Sequence, residues 1–121
     1  LIKMYPSREI VSSPDREQLK EVLQEISVKS SENLSVADMA KFCGWSSSHF
    51  MRWFKKMTGD SFTSYVNERR LAEAAEALRQ TDDKILTISQ DAGFMNLSNF
   101  NRQFKKRYGV TPREYREMIG I

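Results

Sequence analysis

The chain has 121 residues, 40% hydrophobic and 29% charged, with a net charge of +3 and a single cysteine. That length can bury one ordinary core or two very small ones, and the apolar content excludes a disordered tail. Cys43 alone excludes an internal disulfide framework and fits a reducing compartment, no apolar run approaches the roughly 18–20 residues of a membrane helix, and no signal-peptide pattern is present.

Residues 1–13, LIKMYPSREIVSS, keep no period and are expected to be a linker. The chain starts at Leu1 rather than Met, which suits a piece of a longer protein. A first helix is predicted from Ser13 as N-cap and Pro14 in the first turn, with Leu19, Val22, Leu23 and Ile26 at helical spacing. Ser35 and Asp38 have capping-box form ahead of a short helix that stops near Gly44. SSSHFMRWFKKM is the next helix, capped by a serine and ended by Gly59. Ser61 opens the longest helix, SFTSYVNERRLAEAAEALRQ, whose roughly 20 residues would span about 30 Å. ILTISQDA is a short helix closed by Gly93, and NLSNFNRQFKKRY follows it. Thr111, Pro112 and Glu114 cap a last helix through Tyr115 to about Met118. No stretch alternates as a strand would, so the fold is expected to be all-α with about seven helices.

One pattern occurs twice. FMRWFKKMTG from Phe50 and FNRQFKKRYG from Phe100 both read F-x-R-x-F-K-K-x-x-G, and Tyr65 and Tyr115 follow at the same spacing. Upstream, CGW ending at Trp45 answers AGF ending at Phe94 with a slip of one residue. A fixed period marks a repeated supersecondary unit, and two copies are two related subdomains rather than a solenoid. The expected organisation is a linker over 1–13, a first helix-turn-helix over 14–59, a connecting helix over 60–80 and a second helix-turn-helix over 81–121. Charge follows the repeat: net −2 over 1–40, +4 over 41–70, −3 over 71–99 and +4 over 100–121. Two basic segments suit two contacts with one polyanion, although such charges also suit plain solvated helix faces.

A short helix, a glycine turn and a second helix make a helix-turn-helix, whose second helix can enter a major groove. In the first copy Phe50, Phe54 and Met57 form a core stripe, and Ser48, Met51, Arg52 and Lys55 share another face. In the second copy Phe100 and Phe104 hold the core side, opposite Ser98, Asn101, Arg102 and Lys105. Arginine can pair bidentately with guanine, asparagine with adenine, and methionine can pack on a thymine methyl. The Lys55–Lys56 and Lys105–Lys106 pairs stand toward the helix ends, where phosphate contacts belong.

The stretch from Leu34 to Leu78, followed by ILTISQDAGFMNLSNFNRQFKKRYGVTPREYR, resembles the DNA-binding region of AraC/XylS-type transcription regulators. The resemblance covers roughly residues 15–118 and rests on GF, then F-x-R-x-F-K-K, then GVTPREYR. It implies two helix-turn-helix subdomains joined by a long central helix, with recognition helices entering adjacent major grooves on one side of the duplex. By resemblance, Ser48, Met51 and Arg52 face bases from the first helix, and Leu97, Ser98, Asn101 and Arg102 from the second. Ser47, Lys55, Lys56, Asn99, Lys105 and Lys106 are the candidate phosphate contacts. Three positions depart from the family pattern: Ser89 where alanine is usual, Met95 where a small polar cap is common, and Leu97 where a polar residue is frequent. The resemblance also implies a sensing or receiver domain before Leu1, through which a full-length protein could dimerise while this segment is monomeric. RNA polymerase is a candidate second partner, and a cytoplasmic location is expected.

Catalysis has little support. His49 and Cys43 lack metal-ligand spacing, and no phosphate loop or dinucleotide motif occurs, so no cofactor and no metal are expected. His49 is placed to touch a phosphate or to pack against Trp53, packing being preferred, and Cys43 is read as a small core residue. Two function classes stand: sequence-specific binding of double-stranded DNA by a transcription regulator, and a helical interaction module whose basic faces take an acidic protein.

Overall fold

The computed structural model describes residues 13–119. Seven helices account for its regular structure, with no strand among the described residues: α1 (Ser13–Lys29), α2 (Val36–Cys43), α3 (Ser47–Thr58), α4 (Phe62–Gln80), α5 (Ile85–Asp91), α6 (Leu97–Tyr108) and α7 (Pro112–Ile119). The expected linker lies outside the described residues up to position 12, as does the side chain of Ser13, the expected cap of α1.

The other helix starts follow from short polar side chains that satisfy orphan backbone N–H groups. Ser35, Ser46 and Asn96 cap α2, α3 and α6 by accepting from the amides of Asp38, His49 and Asn99. Ser61 Oγ accepts from the Ser64 amide just ahead of α4. At α7 the capping box is reciprocal: the Thr111 amide donates to Glu114 Oε1 at 2.9 Å, and the Glu114 amide donates to Thr111 Oγ1 at 3.1 Å. Hydrogen bonds to its carboxylate from the Thr111 backbone amide, and then from the Thr111 side chain, hold the Glu114 carboxyl below its usual range.

The chain forms two compact units. The first contains residues 13–29 and 33–66, and the second contains 30–32 and 67–119. The first unit's core is built from Leu19, Val22 and Ile26 of α1, Met39 and Ala40 of α2, Phe50, Trp53, Phe54 and Met57 of α3, and Phe62 and Val66 of α4. Its rings meet edge to face: Phe50 and Phe54 lie 5.4 and 5.6 Å from Phe62. Trp53 Nε1 donates to Asp15 Oδ1 at 3.2 Å, which fixes α1 on α3 and satisfies the buried indole.

The second unit's core takes Leu71, Ala74, Ala75 and Leu78 from the rest of α4, with Ile88, Ala92, Phe94, Phe100 and Phe104. The helix that reads as a connector from sequence thus divides its buried side chains between two cores. Arg116 Nη2 and Nε donate to the Thr81 and Leu78 carbonyls at 3.1 and 3.4 Å, so α7 covers the C-terminal end of α4. Residues 30–32 strap the second unit. Arg70 Nε donates to the Ser30 carbonyl and Nη2 to the Glu32 carbonyl, both at 2.6 Å, while buried Ser30 donates Oγ to Glu73 Oε2 at 2.9 Å.

Gly93 sits inside this arrangement with φ +103°. A Cβ there would lie 2.9 Å from Arg70 Nε and 3.0 Å from both Cα and O of Ser31. Ser89, the departure in α5, is buried without penalty because its Oγ donates to the Leu86 carbonyl at 2.8 Å.

Candidate nucleic-acid interface

Each unit presents one helix after a tight turn, and in both the apolar side is consumed by the core. Phe50 and Phe54 on α3, and Phe100 and Phe104 on α6, are all fully buried. What each helix leaves outside is therefore fixed by 3.6-residue periodicity. On α3, Ser47, Ser48, Met51, Arg52, Lys55 and Lys56 are exposed. On α6, Leu97, Ser98, Asn101, Arg102, Lys105 and Lys106 are exposed, while Asn99 is half-buried. Each sequence-selected group shares one helix, and the two groups lie on separate units. The last turns of both helices are basic, which also complements the negative end of the helix dipole.

The two faces differ in how their side chains are held. On α6, Arg102 Nη2 donates to Asn99 Oδ1 at 2.7 Å, one helical turn back. That bond restrains the guanidinium while leaving its other N–H groups available. The counterpart of Asn99 on α3 is His49, whose ring instead stacks on Trp45 with centroids 4.3 Å apart and planes 17° from parallel. The expected packing of His49 is corrected in its partner: it lies on Trp45 rather than Trp53, while Trp45 meets Trp53 edge-on at 5.0 Å. Cys43 is corrected from a core residue to a half-buried one at the core's margin, where Gln18 Nε2 donates to its Sγ at 3.3 Å. Burial pushes the Cys43 thiol pKa up, so the thiolate is suppressed.

A depression of about 460 Å³ lies beside α3, lined by Val36, Met51, Arg52, Lys55, Lys56, Ser61, Phe62 and Thr63. Its wall carries the stems of the same basic residues that the α3 face presents to solvent. Among the described residues, no three His, Cys, Asp or Glu side chains are grouped to hold a metal ion, and no helix is long and apolar enough to cross a membrane.

Sequence reasoning did not assign a role to Met95. The structure places it between Phe94 and the cap Asn96, with 90% of its surface exposed. In the first unit Trp45 is followed directly by the cap Ser46. Met95 is thus the extra residue behind the one-residue slip between the repeats, and that slip was the available signal.

A family profile described as a helix-turn-helix domain matches residues 39–118. Among curated proteins, the probable transcription factor PqrA of Proteus vulgaris is 37% identical over 93 residues, covering 77% of this chain and 76% of its own. The regulatory protein PocR of Salmonella typhimurium is 34% identical over 107 residues, and the uncharacterized HTH-type transcriptional regulator YobQ of Bacillus subtilis 35% over 88. These matches cover 88% and 73% of this chain, but the chain spans only about a third of either relative, 35% and 36%. Among solved structures, a Chromobacterium violaceum transcriptional regulator, described as an AraC-type DNA-binding-domain protein, superposes with a TM-score of 0.78 at 29% identity, covering 88% of this chain and 95% of its own. The DNA-binding domain of AdpA, solved with a target DNA, shares the fold with a TM-score of 0.80 at 23% identity, covering 84% and 91%. With duplicated helix-turn-helix units, matching buried phenylalanine pairs and these relatives, the chain belongs to the C-terminal DNA-binding domains of AraC/XylS-type transcription regulators.

Proposed function

We propose that this domain binds double-stranded DNA sequence-specifically, with α3 and α6 as recognition helices that read adjacent major grooves. The observation that carries this reading is the repeated face: two helices bury equivalent phenylalanines and leave equivalent serine, arginine and lysine positions in solvent. Arg52 and Arg102 would each take a guanine edge, Asn101 an adenine edge, and Met51 a thymine methyl, with Ser48, Ser98 and Leu97 completing the base-facing set. Lys55, Lys56, Lys105 and Lys106 would neutralise phosphates, and the Ser47 hydroxyl would donate to one, together fixing register. Asn99 would act chiefly on Arg102, through the bond already described.

Both recognition helices belong to one chain, so one monomer suffices for two half-sites. Dimerisation through a further domain, and contact with RNA polymerase, are assigned to the whole regulator rather than to these faces. Random-site selection followed by footprinting tests the reading. The expected result is a bipartite consensus about 10 base pairs from centre to centre, protected by monomer. A selection with no consensus, or monomer protection of one groove segment only, overturns it; tight, salt-sensitive binding of an acidic protein without duplex affinity would favour the interaction-module reading.

A further inference from the structure

We infer that Met95 is a specificity-determining residue, which reads the 5-methyl group of a thymine in the half-site bound by α6. The inference rests on the proposed DNA reading and extends it to a position outside the helix itself.

Exposed apolar residues are common singly, so exposure alone assigns no role. Met95 is 90% exposed, the highest value among the large hydrophobics of the described residues, beside 69% for Val28, 67% for Met118, 47% for Met51 and 37% for Leu97. It is not there to cap α6, since Asn96 does that through its side chain. Nor does it complete the core, since Phe94 before it is buried and stacks edge-to-face on Phe100 at 5.0 Å. It has no counterpart in the first unit, where the ring residue Trp45 precedes the cap directly.

Its neighbours identify the surface that would cover it. Leu97, the first residue of α6, follows the cap, so apolar side chains flank Asn96 on both sides in sequence. Further along the same helix stand Asn101, Arg102, Lys105 and Lys106, all exposed. An apolar start and a cationic remainder complement a partner that is polyanionic at its rim and offers isolated methyl groups within. The major groove of a thymine-bearing duplex has that chemistry, with the C5-methyl as its apolar feature. The first unit offers a different arrangement: Ser47 replaces Leu97 and Met51 replaces Asn101. Methyl recognition is therefore made from mid-helix in one unit and from the turn in the other. A flexible thioether suits the second position, because it can follow a methyl group without a rigid socket.

The test uses the duplex obtained by random-site selection and replaces each thymine of the α6 half-site in turn by deoxyuridine, which removes only the methyl group. At one position binding by the unaltered chain should weaken about fourfold, the equivalent of one buried methyl. Met95→Ala touches no core contact and should bind the thymine and uracil duplexes alike, while Met95→Leu should restore discrimination. Uracil substitution without effect at every thymine, a selected half-site lacking thymine, or full methyl sensitivity in Met95→Ala would each overturn the inference while specific binding by the unaltered chain stands. Absence of any selected sequence would instead overturn the DNA reading beneath it.

Discussion

Replacing Gly93 by alanine tests whether the turn into α6 is held by backbone conformation alone or also by contact. Two costs are expected. At φ +103° an L side chain is disfavoured, by about 1–2 kcal/mol on the scale of left-handed backbone. The new Cβ would also meet Arg70 Nε at 2.9 Å and the Ser31 backbone at 3.0 Å. Arg70 cannot simply swing aside, because its guanidinium donates to the carbonyls of Ser30 and Glu32. Overpacking of this kind costs about 1–3 kcal/mol, giving about 2–5 kcal/mol in all. Gly109 supplies the control: its φ is +83°, with nothing within 4 Å of a Cβ, so Gly109→Ala should cost only about 1–2 kcal/mol. Urea unfolding followed by far-UV circular dichroism measures both. The two tryptophans, Trp45 and Trp53, lie in the first unit, so a shift in the helical signal that spares their fluorescence localises the loss to the second. Equal losses in the two variants would refute the contact argument.

Arg52→Ala and Arg102→Ala should each weaken binding by about 1–3 kcal/mol and relax preference in different half-sites; selection with each variant checks this, and an unchanged consensus in both would remove the arginines from base reading. Asn99→Ala should cost about 0.5–1.5 kcal/mol in affinity alone but add little on top of Arg102→Ala, and a fully additive pair would show that Asn99 acts independently of the bond. Lys106→Ala should weaken binding to all sequences and reduce the salt slope by about 1, measured by titration across ionic strengths. Because the Glu114 carboxyl is held below its unfolded value, its share of stability is complete above that value and lost as pH falls through the lower folded one; Glu114→Gln should therefore flatten the acid limb of a melting-temperature profile, and an unchanged limb would contradict the cap's electrostatic part.

Much of this architecture is legible in the sequence because local chemistry and global packing agree. Capping residues set the starts of α2, α3 and α7, whereas the cap of α6 is Asn96, one residue after the position expected for it; the 3.6-residue spacing of aromatics identifies the buried side of both recognition helices. Fold class and family follow from the same residues. The division of α4 between two cores was not legible, since an Ala-rich helix reads alike whether its faces are shared or serve one core. The bond between Asn99 and Arg102 was missed for a similar reason: an i,i+3 pair is equally compatible with two separate ligand contacts. His49 was assigned to Trp53 by proximity on one helix, whereas the ring reaches back across the cap to Trp45. Met95 stands out in the sequence only as a departure at an expected cap position, because a residue inserted in a turn has no periodicity that would give it a role of its own.

The strap over residues 30–32 separates the order in which this chain is made from the order in which it can settle. The first unit's described residues are all present once Val66 has been synthesised. Ser30 and Glu32, by contrast, leave the ribosome about 40 residues ahead of Arg70, which binds their carbonyls, and further still ahead of Gly93, the turn that packs on Ser31. A C-terminal piece that begins at α4 therefore lacks residues that the second unit packs against and bonds to. A fragment that begins with α4 would carry both halves of its repeat and still lack three residues of its fold, leaving Arg70 without its two carbonyl partners and Glu73 without the Ser30 hydroxyl. The helices recur in both units; the segment that straps the second lies upstream of both recognition helices.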